Sequence, residues 1–218
     1  MRIEAEGVSV VINGHRVISD QTVRVVPGET LALVGPSGSG KSTLLNTLGL
    51  LIRVDSGRIV VGGKDATRWS DGQRRRFWQR HAAFIFQDYG LVDDQTVEYN
   101  VLLATLPLFG VNKRNRVAVD EALSRVGLQG RGREQVSSLS GGEKQRVGLA
   151  RAMFRTASVI FADEPTASLD RGNREMVSAF LRSEADRGAS VVIATHDEEL
   201  IAACDARLDL TPTSVPSH

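Results

Sequence analysis

Cysteine is nearly missing: Cys204 is the only one in 218 residues. Without a second thiol no disulfide can form within the chain, which excludes cross-linked secreted scaffolds and fits a reducing compartment; Cys204 is expected to be a buried, inert thiol. Long apolar runs are missing too. No stretch approaches the ~18 uncharged apolar residues of a membrane span, and Met1 to Gly7 hold no apolar leader core. The chain is therefore expected to be soluble by itself, with any membrane role arising through a partner. An excess of one charge is also lacking, since 27 Lys and Arg face 26 Asp and Glu for a net of +1. Nucleic-acid partners normally meet a basic excess gathered on one face, so none is expected here. There is no internal repeat or low-complexity tract, and the length suits one domain, or one core with an inserted lobe.

Against these absences stands one dense stretch, Gly35-Pro36-Ser37-Gly38-Ser39-Gly40-Lys41-Ser42, followed by Thr43. It fits G-x-x-x-x-G-K-[ST]. The apolar run Thr30–Val34 precedes it as a buried strand, and helical spacing over Ser42–Leu48 follows, which is the order a phosphate cradle needs. Glycine backbone can take conformations closed to other residues, so successive N–H groups converge on phosphate oxygens at a positive helix start. Lys41 would reach the β- and γ-phosphates, and the Ser42 hydroxyl would serve Mg²⁺.

The rest of the chain reads as alternating strands and helices. Val8–Ile12 and Thr22–Val26 are β-branched runs around Asn13-Gly14 and form a hairpin. Ser56–Gly63 is a strand ending in a glycine turn. Residues 71–81 interleave Arg74, Arg75, Arg76 and Arg80 with Phe77 and Trp78. Such interleaving can mark nucleic-acid binding, yet a solvated helix with one apolar stripe explains the same letters and is preferred. Ala82–Phe86 is a strand ending on Gln87. From Val97 to about Gly127 the spacing is helical, with Val101, Leu102, Ala104 and Leu106 before the breakers Pro107 and Gly110, and Val117, Val119, Ala122, Leu123 and Val126 after them. A third helix runs from Glu143 to about Arg155. Ser158–Asp163 and Ser190–Thr195 are buried strands flanking a helix from Asn173 to about Arg187, Ala206–Leu210 is a last strand, and the two-proline tail from Thr211 is expected to be loose.

Asp163 and Glu164 end an apolar strand at the edge where open α/β sheets bind ligands, and His196 follows the neighbouring strand on that edge. An Asp-Glu pair there is often a cap for the next turn. Beside a phosphate loop it reads otherwise: Asp163 in the Mg²⁺ shell, Glu164 polarising an attacking water, because phosphoryl transfer needs an oriented nucleophile and neutralised charge.

Leu139-Ser140-Gly141-Gly142-Glu143-Lys144-Gln145-Arg146 resembles the signature sequence of ATP-binding-cassette ATPases. With the phosphate loop, Gln87, Val159–Glu164, Ser168-Leu169-Asp170 and His196, the chain carries the set of motifs of that family in the family order. The resemblance implies an α/β P-loop NTPase core, a mixed or parallel sheet flanked by helices, with an N-terminal antiparallel β-subdomain. Residues 1–87 and 156–218 would form this core, and about 88–155 an inserted α-helical subdomain. It implies ATP and Mg²⁺ as ligands and a head-to-tail homodimer, in which Ser140, Gly141, Gly142 and Glu143 meet the nucleotide held by the other subunit's loop. Gln87 resembles the glutamine that contacts Mg²⁺ and the attacking water, His196 the switch histidine at the γ-phosphate, and Asp170 the aspartate that meets the opposite subunit. Glu164, His196 and Gln87 are thus the expected catalytic set, and Ser42, Gln87 and Asp163 the expected metal set. The family usually stacks adenine on an aromatic residue of the first strand. Ile12 stands near that place, with His15 close by, so the contact would be apolar or shared with Val17.

Residues 86–101 are similar to ATPases that pair with macrolide-exporter or lipoprotein-release permeases, and from Gln87 to Thr96 to bacteriocin-export ATPases of the lactococcin type. The resemblance implies a cytoplasmic ATPase, peripheral on the inner face of the membrane, that powers a separate permease for a peptide, lipid-linked or drug-like substrate. Its alternative is a regulatory ATP switch controlling a membrane-bound cell-wall hydrolase complex.

Overall fold

Along the strand Val159–Asp163 every residue is buried, and successive side chains leave for opposite faces of the sheet. Val159 and Phe161 enter one apolar cluster together with Leu33, Leu44 and Leu48, while Ile160 and Ala162 enter another together with Val147, Leu149 and Phe180. Val192 and Val191 on the adjacent strand divide in the same way. One continuous apolar run therefore serves two cores, as in a parallel sheet covered on both faces.

The computed structural model describes residues 1–103, 113–167 and 169–210. Its elements in order are β1 (Ile3–Ile12), β2 (His15–Val25), β3 (Thr30–Val34), α1 (Lys41–Leu48), β4 (Ser56–Val61), β5 (Lys64–Asp65), α2 (Asp71–Arg80), β6 (Ala82–Ile85), α3 (Val97–Leu102), α4 (Lys113–Arg125), α5 (Gly141–Phe154), β7 (Val159–Asp163), α6 (Arg171–Asp186), β8 (Ser190–Ala194), α7 (Glu198–Ala202) and β9 (Ala206–Asp209). An antiparallel sheet has the order β2-β1-β4-β5, and a parallel sheet the order β6-β7-β8-β3-β9. The α/β core with an antiparallel N-terminal sheet is as expected. Helices α3 and α4 pack on α5, and the C-terminal ends of β3, β7 and β8 lie side by side in register. That edge positions the site.

Several expectations change in detail. The hairpin strands extend back to Ile3 and His15, because bulges between Ala5 and Val11 keep the pairing with β2 through non-alternating residues. The two-residue β5 and the five-residue α7 are too short to leave a periodic signal. Helix α2 is not simply solvated on its charged side, since Arg74 is buried with Phe77. Val117 does not join the apolar stripe of α4 but faces outward. Cys204 is half-buried rather than buried; its thiol donates to Leu200 O at 3.3 Å, and burial pushes its pKa up, in keeping with low reactivity. Ala104, Leu106, Pro107, Gly110, Ser168 and the tail from Thr211 lie outside the described residues.

Candidate functional site

Strand β3 delivers the chain to the phosphate loop, where two glycines are required by their surroundings. A Cβ on Gly35, whose φ is 149°, would stand 2.5 Å from Leu210 O, and one on Gly40, with φ 92°, would stand 2.7 Å from the Ile18 side chain. Gly40 is the N-cap of α1 and supplies no side-chain cap. The first N–H groups of α1 therefore have no capping side chain to satisfy them, and the positive helix end faces the loop. Lys41 Nζ folds over the loop and donates to Gly35 O at 2.9 Å and Pro36 O at 3.1 Å.

Ser42 follows on α1, and its hydroxyl donates to Asp163 Oδ1 at 2.9 Å, joining the loop helix to the end of β7. Burial pushes the Asp163 carboxyl above its ordinary value; the Ser42 hydroxyl opposes this and the neighbouring Glu164 charge adds to it. Glu164 takes a left-handed backbone conformation, φ 46°, which turns its side chain out of the strand alternation. The carboxylate accepts from Thr195 Oγ1 at 3.2 Å and meets His196 Nδ1 at 2.9 Å. It is therefore oriented by two residues from the end of the adjacent β8.

A single cavity of about 590 Å³ gathers these groups. Gly35, Pro36, Ser37, Gly38, Gly40, Lys41, Ser42 and Thr43 line one side, and Gln87, Glu164 and His196 the other. Ser39 and Asp163 stand behind the lining; both are buried, and among the described residues the Ser39 hydroxyl has no hydrogen-bond partner. Ile12 does not line the cavity. It ends β1 opposite His15, partly exposed, while Val17 is the apolar residue in the wall.

Ser140, Gly141, Gly142, Glu143 and Asp170 lie outside that lining. Helix α5 starts two residues earlier than expected, with Ser140 as N-cap and both glycines in its first turn. Its cap is reciprocal: Ser140 Oγ accepts from Glu143 N at 3.4 Å, and Ser140 N donates to Glu143 Oε2 at 2.8 Å. The Glu143 carboxylate is further held by Arg131, which also binds Glu134, and this guanidinium with the Ser140 donors brings its pKa down to about 2. Asp170 caps α6, accepting from Asn173 N at 2.9 Å.

Three residues with no sequence motif of their own hold the site together. Thr195 orients Glu164, Arg131 fixes Glu143, and Arg151 of α5 donates to Tyr89 O and Gly90 O just beyond Gln87. Only Thr195 carried a signal, as a polar residue ending an apolar strand beside His196. Arg131 pairs with Glu134 and with Glu143 on α5, and Arg151 with a loop about sixty residues upstream, neither of which any local pattern announces.

The ABC transporter family model matches residues 18–167. The chain is 38% identical over 222 residues to the lipoprotein-releasing system ATP-binding protein LolD 1 of Caulobacter vibrioides, covering 99% of this chain and 95% of that protein. It is also 38% identical over 187 residues to the macrolide export ATP-binding/permease protein MacB of Photorhabdus laumondii, covering 86% of this chain but only 29% of the longer relative. Among solved structures, the ATP-binding cassette MJ0796, a dimer bound to ADP and Pi in a post-hydrolysis state, matches with a TM-score of 0.88 and 25% identity over 96% of this chain and 94% of that one. The phosphate loop, Glu164, Gln87 and His196 share one cavity with Asp163 behind its wall, in a fold of this kind, and the chain belongs to the ABC transporter family as one of its ATPase cassettes.

Proposed function

We propose that the chain is the ATP-hydrolysing subunit of a transporter that closes on a second copy of itself around ATP and drives a separate membrane permease. One observation carries the reading. The groups for holding and hydrolysing a nucleotide converge on one cavity, whereas Ser140–Gly142, a second helix start suited to an anion, lies outside it. Such a chain holds half of each site, and a head-to-tail copy supplies the other half. The dimeric cassette with ADP and Pi among the similar structures supports this arrangement. Residues 88–155 then act as the lobe that brings the signature helix to the partner.

In this reading the loop N–H groups and Lys41 hold the phosphates, with Lys41 released from its own carbonyls. Ser42, Asp163 and Gln87 would hold Mg²⁺. The donor set fits that ion: the Ser42 hydroxyl lies 2.9 Å from the Asp163 carboxylate, and a hydroxyl with one carboxylate suits a hard cation completed by phosphate oxygens and water. When bound, the ion neutralises charge on the β- and γ-phosphate oxygens. Glu164, oriented by Thr195 and His196, accepts a hydrogen bond from the attacking water; His196 also faces the γ-phosphate. Val17 takes the place beside the base that Ile12 was expected to fill.

A groove of about 270 Å³ beside Gln87, walled by Leu51, Trp78, Phe84, Phe86 and Ala152, is where the permease segment seats. No described helix is long and apolar enough to cross a membrane, so attachment to the inner face runs through that permease, which also selects the substrate. Glu164→Gln is the test. It lowers kcat by ~10²-fold or more while ATP binding persists, and gel filtration with ATP shows a dimer. A variant that stays monomeric under those conditions sinks the reading.

A further inference from the structure

Arg151 sits in the third turn of α5, only 7% exposed, and burial pushes its guanidinium pKa down to about 10. Burying a cation is costly unless its donors are used. Among the described residues its hydrogen bonds go to one short loop: Nη1 donates to Gly90 O at 2.6 Å and Nη2 to Tyr89 O at 2.9 Å, and its centre lies 5.8 Å from the Phe86 ring. That loop is strained. Tyr89 and Gly90 have φ of 66° and 54°, and a Cβ on Gly90 would stand 2.6 Å from the Phe86 ring. A non-glycine residue in the left-handed region persists only when its surroundings hold it there. The same turn reaches the start of α5, since a Cβ on Gly141 would stand 3.0 Å from the Tyr89 hydroxyl. Gln87 lies inside the clamped span, on the cavity wall.

We propose that Arg151 is a positioning residue for Gln87: its planar fork pins the strained Phe86–Gly90 turn to the signature helix, so that Gln87 reaches the cavity only while that helix is docked. The inference rests on the proposed role of Gln87 in hydrolysis. It also gives the groove a route to the cavity, because Phe86, Gly90 and Arg151 line the groove as well. Lysine replaces the fork only in part, since an ammonium on a flexible stem lacks the planar, preorganised pair of donors.

The test is a double-mutant cycle on the full chain with steady-state ATP hydrolysis and direct nucleotide binding. Arg151→Met removes the charge at similar length and is expected to lower kcat by ~10- to 100-fold, with KM and ATP affinity within about twofold, because the phosphate loop is untouched. Arg151→Lys recovers only part of that loss. Gln87→Ala gives a loss of its own, and adding Arg151→Met to it changes kcat by less than about twofold, since both act through one side chain. Gly90→Ala, which disturbs the turn from the other side, replaces Arg151→Met in the cycle if that variant does not fold. Losses that multiply in the double variant, or full activity in Arg151→Met, overturn the inference and leave the role of Gln87 standing. Full activity in Gln87→Ala overturns both.

Discussion

Helices α1 and α5 each start with small residues after a turn, and they treat their first N–H groups in opposite ways. Gly40 gives α1 no side-chain cap, and the cavity gathers Lys41, Gln87, Glu164 and His196 around that end. Ser140 and Glu143 close the start of α5 on themselves, with Arg131 behind them. The first arrangement stores unsatisfied donors and positive potential for an anion. The second uses its own side chains to cap Glu143 N, leaving the two glycines of its first turn as the close-approach surface for a partner. Loop and signature are thus unlike helix starts, and in the proposed function the distinction between holding ATP and using it lies between them.

The largest effect should separate them outright. Lys41→Ala removes the cation nearest the loop carbonyls and is expected to weaken ATP binding by ~100-fold or more, a loss of two tenfold steps at 1.4 kcal/mol each. Calorimetric titration of the monomer reads this directly. Unchanged affinity would mean that the open start of α1 is not the nucleotide-holding half. Gly141→Ala is the counterpart. Its new methyl group meets the Tyr89 hydroxyl at 3.0 Å and stands where a partner would approach, so kcat should fall by ~10-fold and ATP-dependent dimerisation of Glu164→Gln should weaken, with monomer affinity unaltered. A drop in monomer affinity would erase the contrast.

The two halves were unequally legible in the sequence. Gly35 to Ser42 could be read because its chemistry is local: strand, loop and helix are consecutive, Gly35 and Gly40 each leave room for a close neighbour, and Gly38 takes a left-handed φ of 79°. Asp163, Glu164 and His196 were placed correctly at one sheet edge because apolar strands end there, and parallel pairing of β7 with β8 brings them together. The signature was legible by resemblance, but its physical state was not. Glu143, expected against the nucleotide, is committed to Ser140 and to an arginine twelve residues upstream. Arg74, read as solvated, is buried, and of the two apolar residues expected near the base Val17 lines the cavity while Ile12 does not, since strand bulges and helix packing are settled by tertiary contacts rather than local periodicity. Short elements such as β5 and α7 carry too few residues to show any period.

A control for the signature exists inside the same chain. Ser70 and Gln73 at α2 form a capping box with the same exchange of bonds, Ser70 N donating to Gln73 Oε1 at 2.9 Å and Gln73 N to Ser70 Oγ at 3.4 Å. Ser70→Ala and Ser140→Ala should each cost about 1 kcal/mol of stability, or about 2–4 °C in Tm for a chain of this size. Only Ser140→Ala should also reduce the ATP-dependent dimer of Glu164→Gln. Equal effects of both variants on dimerisation would reduce the signature serine to an ordinary cap.

The smallest effect concerns the charge that closes α5. Glu143 has its carboxyl held from 4.5 down to about 2, first by Arg131 and then by Ser140. A carboxyl depressed on folding contributes stability above its unfolded pKa and loses it as pH falls through the folded one, so this contribution fades between about pH 4.5 and 2. Glu143→Gln keeps a capping side chain of the kind seen at Gln73 but loses the charged pair. Its Tm should lie at most about 2–4 °C below the parent at pH 7, because the pair is solvent-screened, and the gap should close toward pH 2. A gap that is constant with pH would show that the amide fails as a cap at α5, and the start of α5 would then differ in kind from that of α2, where the Gln73 amide serves.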